Sequence, residues 1–192
     1  MKRTTLVVAA MLTLVTAACG STTEAASSNT ATSATAGSPS TTSVGSDGVV
    51  HYEGLGRDHT TGNVEYPESP PVGGNHDPSW QNCGVYDEPV RNENAVHSLE
   101  HGAVWLAYNP SLSAADVEIL RAFALNQTHV LVSPYVGLAD GEAVVATAWG
   151  TQLRLDSVTD PRLAEFVATY QEGSQTPELG VTCSGAVGSP IA

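Results

Sequence analysis

The sequence predicts a single α+β domain: a small mixed or antiparallel sheet carrying two main helices on one face, preceded by a long Pro/Gly-rich loop region. Three observations lead there. Short apolar runs bounded by Pro, Gly and Asn read as buried strands, and two longer segments repeat apolar residues at helical spacing behind recognisable caps. Their order along the chain, β-α-β-β-α, fits a sheet with helices gathered on one side.

The chain opens with Lys2 and Arg3, an apolar stretch over residues 6–15, and the small residues Thr16, Ala17 and Ala18 before Cys19. A charged start, a short apolar core and small residues make residues 1–18 a secretory signal peptide, since the core is too short to span a bilayer as a stable helix. The cysteine directly after the small residues resembles the lipobox of bacterial lipoproteins, with Thr16 in a position usually filled by leucine. That resemblance implies lipidation of Cys19, a membrane anchor, and a place in the bacterial cell envelope facing outside the cytoplasm. Several acyl chains would hold the protein stably where one would be marginal.

Residues 19–48 are dominated by Ser, Thr, Ala and Gly, too poor in apolar side chains to build a core. They are expected to form a flexible tether with an r.m.s. span of about 30 Å. The globular domain then occupies residues 49–192, a length suited to one core.

Within it, residues 49–52 form a short strand candidate, and residues 65–76 (Glu-Tyr-Pro-Glu-Ser-Pro-Pro-Val-Gly-Gly-Asn-His) read as an ordered loop. Prolines there fix φ, while Gly73 and Gly74 permit a sharp reversal. Residues 103–108 form a buried strand, stopped by Asn109 and Pro110. Ser113 is expected to cap a helix reaching about Gln127, with Asp116 near its positive end and Val117, Leu120 and Ala124 on its apolar stripe. Residues 129–133 form another strand; residues 143–149 and 152–155 read as two strands around Gly150, or as one strand with a bulge. Asp160 followed by Pro161 starts a second helix, whose Leu163, Phe166, Val167 and Tyr170 follow the i, i+3, i+4, i+7 pattern.

Charge excludes several functions. The chain carries 7 Lys and Arg against 20 Asp and Glu, a formal net charge of −13. Lys2 is the only lysine, so after cleavage every remaining cation other than histidine is an arginine. A surface of this sign cannot displace counterions from a nucleic acid, and no lysine remains for a Schiff base. Both methionines, Met1 and Met11, leave with the signal peptide, which disfavours a methionine-rich copper shuttle. With Cys19 committed to lipid, Cys83 and Cys183 remain as a pair in an oxidising compartment. A disulfide between them is favoured over Cys83 serving as a metal ligand near His76, because no second cysteine stands at C-x-x-C spacing.

The chemically richest stretch is residues 96–102, Val-His-Ser-Leu-Glu-His-Gly. On a helix His97 and His101 share one face, so two imidazoles could grip one ion, whereas on a strand they would lie about 13 Å apart. A two-turn helix over residues 94–101, capped by Asn94 and closed by Gly102, would bring them together. His76 from the Pro/Gly loop would supply a third nitrogen to a zinc or copper ion, leaving one open position. His51, His59 and His129 are expected to be surface or packing residues. The bland alternative makes His97 and His101 polar residues that merely fix the loop.

The same letters spell H-x-x-E-H, the inverted zinc-peptidase pattern, with Glu100 as general base and a third ligand from Glu165 or Glu172. Gly102 and the apolar run after it leave no room for the long helix that pattern needs. A nucleophilic Ser98 or Cys83 lacks the elbow such chemistry requires. Trp105 and Trp149 fall in strands and are expected in the core; Trp80 either walls a pocket or caps the core.

Tyr66-Pro67, Pro70-Pro71-x-Gly73-Gly74-x-His76, Trp80, Gly84-x-Tyr86, the segment 96–102, Ser133-Pro134-Tyr135, Ala148-Trp149-Gly150 and Pro177-Glu178 together resemble a family of bacterial envelope proteins, domain of unknown function 3105. The resemblance spans about residues 50–183. It implies a secreted or membrane-anchored domain and no particular activity. The residues themselves lean towards metal handling or an accessory envelope role without catalysis, against a zinc-dependent hydrolase or a protein-binding module with structural histidines.

Overall fold

In the computed structural model of the chain, the described residues are 34–35 and 41–192. The expected signal peptide, Cys19 and most of the expected tether lie outside them. In chain order the elements are β1 (Ala34–Thr35), β2 (Thr41–Val44), β3 (Val50–Glu53), β4 (Val64–Glu65), β5 (Gly84–Val85), α1 (Asn92–Glu100), β6 (Val104–Tyr108), α2 (Ala114–Ala124), β7 (Val130–Pro134), β8 (Val144–Ala148), β9 (Thr151–Leu155) and α3 (Pro161–Tyr170).

A seven-stranded sheet of order β2-β3-β9-β8-β6-β7-β5 forms the middle layer. The β6-α2-β7 crossover makes β6 and β7 parallel, β5 adds parallel to β7, and the remaining pairs are antiparallel. The sheet is therefore mixed, as expected. Every residue of β6, β7 and β8 is buried, which explains their nearly continuous apolar sequences: both faces of the sheet are covered.

Alternation along β6 separates the two faces. Val104, Leu106 and Tyr108 join Leu120 of α2 and Leu163, Phe166 and Val167 of α3 in one core. Trp105 and Ala107 join Leu131, Trp149 and the α1 residues Ala95, Val96 and Leu99 in the other. The two main helices thus share a face, and α1 with its surrounding loops forms a third layer opposite them. The caps are those expected: Ser113 Oγ accepts from Asp116 N at 3.2 Å, and Asp160 Oδ1 accepts from Arg162 N at 2.9 Å, with Pro161 opening the helix. Helix α2 ends at Ala124, three residues before Gln127, because Leu125 turns extended and Asn126 takes a φ of 63°.

Residues 143–155 form two strands around Gly150, as expected, paired as a hairpin with Ala148 opposite Thr151 and not as one bulged strand. Part of the presumed tether is ordered: Thr41–Val44 pairs with Val50–Glu53, and Ala34–Thr35 pairs with Val64–Glu65. An edge strand of this kind is held by main-chain hydrogen bonds and β-branched propensity, so it needs few apolar side chains; Val44 is 69% exposed.

The disulfide between Cys83 and Cys183 is present, with Cα atoms 5.4 Å apart. Beside it the C-terminal tail runs along the β5 edge: Cys83 N donates to Cys183 O at 2.7 Å, Val85 N to Ala192 O at 2.8 Å, and Ile191 N to Val85 O at 2.7 Å. No helix among the described residues is long and apolar enough to cross a membrane.

Replacing both Cys83 and Cys183 with alanine removes a cross-link that closes a 100-residue loop. The variant is expected to lose about 2–5 kcal/mol in chemical denaturation. Amide exchange in the tail and at Val85 should accelerate well before that in β6–β8.

Candidate metal centre

Helix α1 is buried along almost its whole length, polar residues included: Glu93, Asn94, His97, Ser98 and Glu100 are buried with Ala95, Val96 and Leu99. A buried polar face is tolerable only if its groups find partners. Here the partners are backbone atoms of the surrounding loops. Glu93 Oε1 accepts from Val64 N at 2.8 Å, Asn94 Nδ2 donates to Ser79 O at 2.5 Å, and Ser98 Oγ donates to Gln81 O at 2.7 Å. Asn94 was expected to cap the helix, but α1 begins two residues earlier, with Arg91 in the cap position and no side-chain cap bond. Anchoring Ser79 is a stronger use of its amide in a buried setting.

The helix ends as expected. Gly102 takes a φ of +99°, and a Cβ there would lie 3.1 Å from the Glu172 backbone, so this position requires glycine. The end leaves His97 and His101 on one face, ring centroids 4.6 Å apart. Ser98, tied to two carbonyls, is no nucleophile.

His76 reaches the same place from the Pro/Gly loop. Gly73 has a φ of +146° and packs so closely that a Cβ would meet Leu55 at 2.8 Å and the Trp149 ring at 3.4 Å. This close approach turns the loop inward and leaves the His76 side chain with no exposed surface. An isolated bridge pairs His76 with His59: His76 N donates to Asp58 O at 3.1 Å, and Thr60 N to His76 O at 2.7 Å.

His59, His76, His97 and Glu100 thereby form one cluster in which a donor atom from each lies within 4.8 Å of the others. A second cluster of the same kind joins His97, His101 and Glu178. The expected trio is therefore divided: His76 and His97 come together, while His101 shares His97 with a carboxylate. His59, expected at the surface or in packing, is a member of the first cluster. Its sequence neighbourhood gives no hint of this, because the bridge to His76 is tertiary. Of the carboxylates considered from sequence, Glu172 lies 3.4 Å from His129 and Glu165 lines a separate cavity with Arg162 and Phe166. Glu178 takes the place proposed for them.

The hydrogen bonding of the imidazoles is uniform. His76 Nδ1 lies 2.7 Å from Gly74 O, His97 Nδ1 2.7 Å from Asp77 O, and His101 Nδ1 2.8 Å from Thr182 O. A carbonyl can only accept, so each Nδ1 carries a proton, and each ring turns its Nε2 into the cluster. This is the outer-shell arrangement that orients metal-ligating histidines. His76 Nε2 is buried 2.9 Å from Glu100 Oε2, so the two form a close side-chain pair inside the cluster. Two tryptophans close the site: Trp80 lies over His101 and His97, with centroids at 4.8 and 5.7 Å, and Trp149 stands 5.9 Å from His76. Trp80 thus serves as a wall of the site.

Burial pushes the His97 imidazolium down to about 4, and neighbouring His76, His101 and His59 add to this against the opposing Asp77 carbonyl. Burial also lowers His101, although Thr182 O, Glu178 and Glu100 oppose it. Burial pushes the Glu100 carboxyl up, but His76, His97 and Arg57 outweigh it and hold it below its usual range. Both effects act in one direction on stability. Depressed histidines cost nothing above their unfolded value near 6.5 and destabilise the fold as pH falls towards 4; the depressed carboxylate loses its stabilising effect at still lower pH. The melting temperature of the metal-free protein should therefore fall between pH 7 and pH 5, before ordinary carboxylates titrate. His97→Gln should flatten that window in thermal melts, and an unchanged profile would contradict the burial argument.

No curated protein and no solved structure matches the chain. The profile of one family, described as a protein of unknown function, matches residues 58–185, from the residue before His59 to two residues past Cys183. That span takes in every residue of both clusters and most of the sheet, so the chain belongs to the DUF3105 family.

Proposed function

We propose that this protein is a lipid-anchored, extracytoplasmic domain of the bacterial envelope that binds a divalent transition metal, zinc or copper, in a metal-handling or accessory role. The observation that carries this reading is the convergence of three imidazoles and one carboxylate, with a donor atom from each of His59, His76, His97 and Glu100 within 4.8 Å of the others and the His76 and His97 rings fixed by backbone carbonyls. Such backbone anchoring is what orients metal-ligating histidines.

The donor chemistry fits. Three nitrogens and one carboxylate oxygen suit zinc or copper, and the absence of thiolate or thioether donors disfavours softer ions. The donors lie within 4.8 Å of one another, against an edge of about 3.3 Å for a tetrahedron with 2.0–2.1 Å bonds, so only small movements separate the cluster from a closed site. His59, with a side chain 47% exposed, has the freedom to close on the ion. Glu100 fits a ligand better than a catalyst. A general base works best with a pKa near the operating pH, and the surroundings of Glu100 lower its pKa. The anchor rests on the leader and Cys19, as read from the sequence.

The purified full-length chain is expected to retain close to one equivalent of zinc or copper. His76→Ala should weaken zinc binding by about 100-fold or more, since loss of mere outer-shell support already costs 10–100-fold. Circular dichroism would verify that the variant folds. Wild-type protein that takes up no stoichiometric zinc or copper from a buffered solution would defeat the proposal.

A further inference from the structure

The two clusters meet at one residue, and that residue can serve only one ion at a time. His97 commits Nδ1–H to Asp77 O, which leaves Nε2 as its single lone pair. Yet His97 belongs both to the inner group with His59, His76 and Glu100 and to the outer group with His101 and Glu178. Without His97 the outer group keeps only one imidazole and one carboxylate, their atoms 3.5 Å apart. Two ions at once would leave one of them poorly held.

The clusters also differ in the charge at their openings. The inner group opens at His59, where Arg57 lies 3.8 Å from Glu100 with its side chain 56% exposed. A guanidinium there repels an approaching cation. The outer group opens at Glu178, whose side chain is 46% exposed, and Glu172 beside His129 adds a second carboxylate nearby, its side chain 40% exposed. The chain physically couples the two groups as well: Glu178 N donates to Glu100 O at 3.0 Å, so the outer carboxylate is fixed to the end of α1.

The geometry points to a second metal position, formed by His97, His101 and Glu178, that captures a divalent cation at the surface and passes it through His97 to the inner position. This rests on the metal-binding reading and adds to it the route of the ion. One ion moves between two sites while His97 stays bound to it, and by a small ring displacement the ion exchanges His101 and Glu178 for His76, His59 and Glu100 instead of being released to water. Trp80, lying over both His97 and His101, keeps water from that exchange.

The test uses the full chain and Zn²⁺, with Co²⁺ as the spectroscopic probe. Wild type is expected to saturate at one equivalent. Glu178→Gln, an exposed substitution that leaves the fold undisturbed, should lower the zinc association rate at low ionic strength by about fivefold or more. His76→Ala should still take up Co²⁺, more weakly and with a changed visible spectrum, and His76→Ala/His101→Ala should take up none. Saturation at two equivalents, or an association rate unaffected by Glu178→Gln, would overturn the route while leaving metal binding itself intact. Wild type that binds neither ion would instead remove the metal reading on which the route depends.

Discussion

Much of this structure follows from the decision to bury a polar helix. Helix α1 carries Ala95, Val96 and Leu99 on the side that meets Trp105 and Leu131, and that side alone would suit an ordinary surface helix. Its other side holds Glu93, Asn94, His97, Ser98 and Glu100, and it too is shielded from water. Each such group must recover in the fold what it loses in hydration. The irregular segments around α1 supply that recovery, and their shapes follow from it. Residues 77–81 present the carbonyls of Asp77, Ser79 and Gln81 in turn to His97, Asn94 and Ser98. The tail presents the carbonyl of Thr182 to His101.

The disulfide belongs to the same logic. Residues 77–81 and the tail have no regular secondary structure of their own, and both must stay in register with α1 for the carbonyls to meet their donors. Joining Cys83 to Cys183 fixes one segment to the other directly beside those contacts. Extended pairing of the tail with β5 extends the constraint to the sheet edge. A covalent link at this point acts on the positions of the histidines as much as on global stability.

These constraints also decide what could be read from the sequence. The strands β6 to β9 and the helices α2 and α3 follow local rules: continuous apolar runs, an alternating or 3.6-residue period, Ser113 and Asp160 as caps. They are where the sequence led to expect them. Strands β2, β4 and β5 follow no such rule, because short or polar edge strands are held by main-chain pairing, β2 with the adjacent β3, β4 and β5 with partners further away along the chain. The site divides in the same way. His97, His101 and Glu100 were visible because helical spacing is local, and His76 because two glycines and three prolines mark its loop. His59 and Glu178 were not, since each is placed by a tertiary contact, the bridge to His76 in one case and the bond to the Glu100 carbonyl in the other.

A cluster of buried neutral imidazoles is an expensive way to fill space. Side chains of Leu or Phe would cover Trp80 and Trp149 as well, without demanding carbonyl partners. If the histidines only fixed the loops, their nitrogens would be fully used, as in His129, which engages Thr128 through Nδ1 and Val181 through Nε2. His76, His97 and His101 differ from His129 in one respect: each spends Nδ1 on the backbone and keeps Nε2 for the interior of the cluster. The contrast within one molecule separates a structural histidine from an available one. It sets His76, His97 and His101 apart at the end of α1, where each ring is oriented by the backbone and turned towards its neighbours.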